Sequence, residues 1–189
     1  MSKNRAGSDK SAIAQTQCWL KTVIVEHDFC PFAKRELERG SIRYSVDHSN
    51  DLASALQVVI DECVYLDNNE ATETTLLIFT QAFNRFDGYL ELVELAQALL
   101  TDQGYAGTYQ LASFHPDYCF ADAEQDDAAN YTNRSPYPML HLIREVSMEQ
   151  ALKHHPDPEA IPERNIEYAR ELGQEEMQRQ LEACCKIDE

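Results

Sequence analysis

Cys30 stands directly before Pro31-Phe32-Ala33-Lys34-Arg35-Glu36-Leu37, a short helical stretch with proline where a first turn tolerates a missing N–H. A thiol at such an N-cap faces unpaired N–H groups and the positive end of the helix dipole. Both favour the thiolate, which makes Cys30 a candidate nucleophile; a small residue packed under a proline turn is its alternative role. His115 follows a predicted strand and His141 lies in the next one. Antiparallel pairing of those strands would bring the two imidazoles together as acid and base, or as the start of a metal site. Cys119, Asp126 and Asp127 are further donors nearby, but conventional zinc spacing is absent and no metal is assigned. Arg43, Arg134 and Arg144 are the candidate anion grip, because guanidinium groups bind carboxylate or phosphate bidentately. Asn133, Ser135 and Tyr137 flank Arg134 and join it as candidate substrate contacts. Ordinary ion pairs with neighbouring acids are the alternative use of the arginines.

These groups need a frame. Residues 11–26 carry Trp19, Leu20, Val23 and Ile24 at helical spacing, and 41–47 alternates Ile42, Tyr44 and Val46 with Arg43, Ser45 and Asp47, as a strand does. Ser49-Asn50-Asp51 supplies a cap for a helix bearing Leu52, Leu56, Val59, Ile60 and Cys63. Leu76-Leu77-Ile78-Phe79 reads as a central strand covered on both faces. Asp87 opens another amphipathic helix, and 108–114 and 139–144 read as two more strands. The connection from His115 to Pro138 is far longer than the roughly 2 to 5 residues of a hairpin. Its Tyr118, Phe120, Tyr131 and Tyr137 anchor it as a folded-back loop able to roof a site. Ser147-Met148-Glu149-Gln150 has the form of a capping box. A long C-terminal helix over 162–185, with the stripe Ile166, Ala169, Leu172, Met177 and Leu181, packs across the domain or against a partner chain. The order α-β-α-β-α-β-β-α predicts an α/β fold. It is one domain with a four-stranded mixed sheet flanked by helices over 11–189, after a polar tail at 1–10.

Composition narrows the function classes. The 189 residues are 43% hydrophobic and 26% charged, with a net charge of -17. That balance builds a core but repels nucleic acid and anionic membrane surfaces. No run suits a bilayer span, the start is polar, and the six cysteines form no CxxC pair, so a cytoplasmic protein with free thiols is expected. Neither GxGxxG nor GxxxxGK[ST] occurs, and no cofactor is assigned.

Three segments carry a family likeness: Phe114-His115-Pro116-Asp117-Tyr118-Cys119-Phe120, Asn130-Tyr131-Thr132-Asn133-Arg134-Ser135-Pro136-Tyr137-Pro138, and Leu140-His141-Leu142-Ile143-Arg144-Glu145. With Cys30-Pro31-Phe32-Ala33, Glu73-Thr74-Thr75-Leu76-Leu77 and Ile161-Pro162-Glu163-Arg164-Asn165, the chain resembles the bacterial domain-of-unknown-function family 1415 over nearly its whole length. That resemblance implies no reaction. Phe29 to Ala33 also resembles the active-site stretch of omega-class glutathione transferases. The functional expectation is an enzyme, a hydrolase or group transferase, acting on a small anionic substrate held by arginines under the 115–138 loop. Cys30, His115 or His141 would supply the chemistry. A non-catalytic ligand-sensing or protein-interaction module is the alternative, and a Cys30-based thiol transferase a further one.

Overall fold

The computed structural model describes residues 2–153 and 156–187. Residue 1 of the predicted tail and residues 154–155 and 188–189 of the predicted domain lie outside the described residues. Helix α1, Ser2–Trp19, takes in the segment read as a tail and continues into a π-helical turn, Leu20–Val25. Then follow α2 (Ala33–Arg39), β1 (Ile42–Asp47), α3 (Leu52–Asn68), β2 (Thr74–Phe79), α4 (Phe86–Asp102) and β3 (Tyr109–Phe114). A 3-10 turn at Ala128–Thr132 sits inside the long connection, and β4 (Met139–Arg144), α5 (Glu145–Lys153), α6 (Ile161–Leu172) and α7 (Gln174–Cys185) complete the chain.

The four strands form one mixed sheet in the order β1-β2-β4-β3. β1 and β2 run parallel with Ile42 opposite Thr74, while β4 runs antiparallel to both β2 and β3. The fold is therefore α/β with a mixed sheet, as the element order predicts, and β4 is the strand inserted between β2 and β3. All six residues of β2 are buried, which accounts for its unbroken apolar run.

Helices cover both faces. On one, Ala55, Val59 and Cys63 of α3 and Leu92, Ala96 and Leu100 of α4 pack on Leu77, Phe79, Leu140 and Leu142. On the other, Trp19, Leu20, Val23 and Ile24 meet Leu76, Ile78 and Met139, with Ala169 and Met177 closing the layer from the C-terminal segment. Gly173, at φ +84, turns that segment between α6 and α7. Its apolar stripe faces this chain's own core, where Leu172 and Leu181 also pack. Asp51 caps α3 through its side chain, accepting from the Ser54 N–H. α5 begins at Glu145, directly after β4, so the capping-box residues Ser147 to Gln150 lie within it. Among the described residues no helix is long and apolar enough to cross a membrane.

Candidate functional site

The loop that presents Cys30 is set by three local features. A π-helical turn precedes it; such turns interrupt regular α hydrogen bonding and recur at functional positions. Asp28 has a left-handed backbone, φ 55, which is uncommon outside glycine and redirects the chain two residues before the thiol. The start of α6 then grips the loop from outside. Asn165 Nδ2 donates to the Phe29 carbonyl at 2.7 Å, and Arg164 donates to the carbonyls of Asp28 and His27 at 2.6 and 3.1 Å. Neither Arg164 nor Asn165 was a candidate on sequence grounds. The signal present was their place in Ile161-Pro162-Glu163-Arg164-Asn165, one of the segments carrying the family likeness.

α2 begins at Ala33 with Phe32 as its N-cap residue, so Cys30 does not occupy the cap. Burial pushes its thiol up from the ordinary value, and the Phe32 and Ala33 N–H groups offset this only in part. The expected thiolate at a helix cap is thus replaced by a sheltered, protonated thiol. A helical turn, not a strand, leads into it, unlike the arrangement expected for the glutathione transferase likeness.

Two clefts meet at Cys30. One, of about 50 Å³, is a narrow slot between α2, the sheet and α5, walled by Leu20, Phe32, Ile42, Leu76, Ile143 and Met148. Its polar groups include His141, Thr74, Glu36 and Glu73. The other, of about 290 Å³, lies beneath the 115–138 loop, between Ile24, Phe29, Phe114, Phe120, Ile161 and Ile166, with Thr132, Asn133 and Asn165 as polar contacts. Among the described residues Cys30 alone lines both.

His141 reaches the slot from β4 with a defined protonation pattern. The Thr74 hydroxyl donates to the Leu142 carbonyl at 2.5 Å, so toward His141 Nε2, 2.6 Å away, it accepts. Nε2 therefore carries the hydrogen and Nδ1 is the basic nitrogen. Burial lowers the imidazole to about 4, which keeps it neutral near pH 7.

His115 is placed elsewhere. Its Nε2 bonds the Phe83 carbonyl at 2.9 Å, its Nδ1 accepts the Asp117 N–H at 2.9 Å, and its ring packs on Phe86 and Tyr89 of the α4 side. Both nitrogens are satisfied, burial lowers its pKa, and it anchors the root of the loop. The expected imidazole pair does not form, because His141 faces the opposite side of the sheet with Thr74. Among the described residues no three His, Cys, Asp or Glu side chains are grouped to hold a metal ion.

The predicted arginines are each engaged by groups of this chain. Arg43 makes a bidentate pair with buried Glu62 of α3, at 2.8 and 3.1 Å, and lies over the Tyr65 ring. Glu62 also takes the Ser45 hydroxyl, so Arg43 and Ser45 on the polar face of β1 form a half-buried network around one buried carboxylate. Arg144 donates to the Leu66 and Thr72 carbonyls and caps the end of α3. Arg134 pins the long loop through the Tyr118 and Gln125 carbonyls, while its own carbonyl accepts from Trp19 Nε1 at 2.8 Å. Ser135 donates to the Tyr137 carbonyl, and the Tyr137 hydroxyl donates to Gln15 on α1. Asn133 donates to the Ser113 carbonyl and is the predicted substrate contact that lines the cleft beneath the loop.

Of the predicted residues, Cys30 and His141 share the slot, and Cys30 and Asn133 share the wider cleft. No curated protein and no solved structure matches the chain. A family model described as protein of unknown function, DUF1415, matches residues 11–179, and the chain belongs to that family.

Proposed function

We propose that this protein is a thiol-dependent group transferase or hydrolase, with Cys30 as nucleophile and His141 as general base, acting on a small substrate with an apolar body. The observation that carries the reading is the meeting of a wide apolar cleft and a narrow imidazole-bearing slot at one thiol. The substrate body occupies the space under the 115–138 loop, with Asn133 and Asn165 offering amide contacts, and its reacting carbonyl lies at Cys30.

Because the resting thiol is protonated, attack is coupled to proton removal. As the Sγ–C bond forms, the proton moves toward His141 Nδ1, directly or through one water; burial makes the imidazole a weak base, so the transfer proceeds only in step with bond formation and no free thiolate precedes it. Thr74 holds the ring through Nε2, the part an orienting third residue plays in nucleophile–base–orienter sets. The proton then goes to the leaving group as the acyl–oxygen or acyl–sulfur bond breaks, and a second acceptor, water in a hydrolase, releases the acyl group from Cys30.

An anionic substrate is less well served. The three predicted arginines donate to Glu62 or to backbone carbonyls, Arg35 pairs with Glu36 at the slot, and Glu73 adds a carboxylate with one buried oxygen that lacks a partner. The acidic balance that repels nucleic acid and anionic lipid also argues for a neutral or cationic small molecule. Six free cysteines fit a reducing compartment, and we place the protein in the cytoplasm on that ground.

The test is covalent trapping. p-Nitrophenyl butyrate, an activated ester with an apolar acyl chain, should release a burst of nitrophenol and leave a butyryl group on Cys30, located by peptide mass spectrometry. Acylation spread over other thiols with Cys30 spared removes the proposal.

A further inference from the structure

On the same helical layer as Cys30, Cys18 of α1 and Cys184 of α7 place their sulfurs 3.1 Å apart. Cys184 Sγ also lies 3.3 Å from the Thr22 hydroxyl, which itself donates to the Cys18 carbonyl at 2.9 Å. The four groups close a ring: Cys18 S–H to Cys184 sulfur, Cys184 S–H to Thr22 oxygen, Thr22 O–H to the Cys18 carbonyl. A disulfide needs the sulfurs at about 2.05 Å, roughly one ångström closer than they stand. We propose that Cys18 and Cys184 are a dithiol modification site that low-molecular-weight disulfides oxidise to an intramolecular bond, stapling α1 to α7.

The two thiols differ in access, which sets the order of events. Cys184 is buried and Cys18 is partly exposed. Cys18 loses its proton and attacks one sulfur of the small disulfide, forming a mixed disulfide and releasing one small thiol that takes up a proton. Cys184 then loses its proton and attacks Cys18 Sγ, forming the protein disulfide and expelling the second small thiol. Two protein thiols are oxidised, one small disulfide is reduced to two thiols, and both protons end on the released thiols. The exposed neighbour Cys185 is the competing partner.

The staple has a structural reach. Thr22 belongs to the π-helical turn that leads to the Cys30 loop, and Gln180 of α7 bonds His27 of that loop at 2.7 Å. Closing α1 on α7 joins the two ends of the fold behind that loop.

The experiment is oxidation of the full chain with glutathione disulfide at pH 8, acid quenching, alkylation of remaining thiols and peptide mapping. The expected result is a Cys18–Cys184 crosslink in the wild type and in Cys185→Ser, absent in Cys18→Ser. The melting temperature of the oxidised wild type should rise by on the order of 5 °C, because the bridge closes a long loop. Linkage of Cys185 to Cys18 or Cys184 instead overturns the proposal. So do glutathione adducts that never resolve, or a crosslinked protein that melts no higher than the reduced one.

Discussion

Asn165 Nδ2 donates to the Phe29 carbonyl across 2.7 Å in a buried contact, tying the second turn of α6 to the residue before Cys30. Asn165 is 8% exposed, so the carbonyl it satisfies has little access to water as a substitute. Asn165→Ala should cost about 1 to 3 kcal/mol, the range for leaving a buried acceptor unpaired. It should also speed alkylation of Cys30 by iodoacetamide, because the loop that shelters the thiol loosens. Urea unfolding read beside alkylation kinetics checks both effects. Lost stability with unchanged Cys30 reactivity would show that α6 does not position the thiol.

The neutral state of His141 makes stability depend on pH in a defined window. Its folded value, near 4, lies below the ordinary 6.5, so the unfolded chain binds the proton more readily. Stability from this site is complete above pH 6.5 and falls as pH drops toward 4. The displacement corresponds to about 3 kcal/mol at the acid end. Unfolding free energies of wild type and His141→Gln, measured between pH 7 and 4, should converge or cross as acid is added. Parallel profiles would mean that the imidazole is not held neutral.

Arg43 and Glu62 separate a structural guanidinium from a substrate-binding one. The Glu62 side chain is 7% exposed and its partner's is 34%, so Arg43→Ala leaves a carboxylate in a largely water-free place. A loss of roughly 2 to 4 kcal/mol is expected, with Cys30 acylation per folded molecule unchanged. Arg43→Ala that folds with wild-type stability but acylates slowly would restore Arg43 to the site.

The Asp28 backbone is strained for a non-glycine residue, at φ 55, and its carbonyl is held by Arg164. Asp28→Gly should relieve about 1 kcal/mol of that strain, although it also removes the long Asp28–Arg164 carboxylate contact at 3.9 Å. Denaturation midpoints of Asp28→Gly and Asp28→Ala give the sign: glycine should be the more stable of the two.

The elements were legible in the sequence because hydrophobic period and burial coincide. β2 reads as a central strand and is one, and Asp51 caps α3 as its spacing suggests. Strand order is a different matter: nothing local tells β4 to enter between β2 and β3, since that pairing joins residues distant along the chain. Arginine roles escaped for a related reason. Arg43 reads as a candidate anion grip because its partner, Glu62, approaches from a helix whose register with the strand is fixed only by packing. Cys30 was found by its neighbours, but its electrostatics were not, because Pro31 marks a helix start that lies two residues later, at Ala33. His141 is a candidate by its type, whereas its proton position depends on Thr74, which bonds it diagonally from the neighbouring strand.

The dependence of Cys30 acylation on His141 bears most directly on the proposed chemistry. His141→Gln keeps an amide that can donate to the Thr74 hydroxyl while removing the basic nitrogen. Single-turnover acylation of Cys30 by p-nitrophenyl butyrate at pH 7, followed by mass spectrometry, should slow by about 100-fold or more in this variant, as loss of a general base does. Equal rates in the two proteins would contradict the assignment of His141 as the base that activates Cys30.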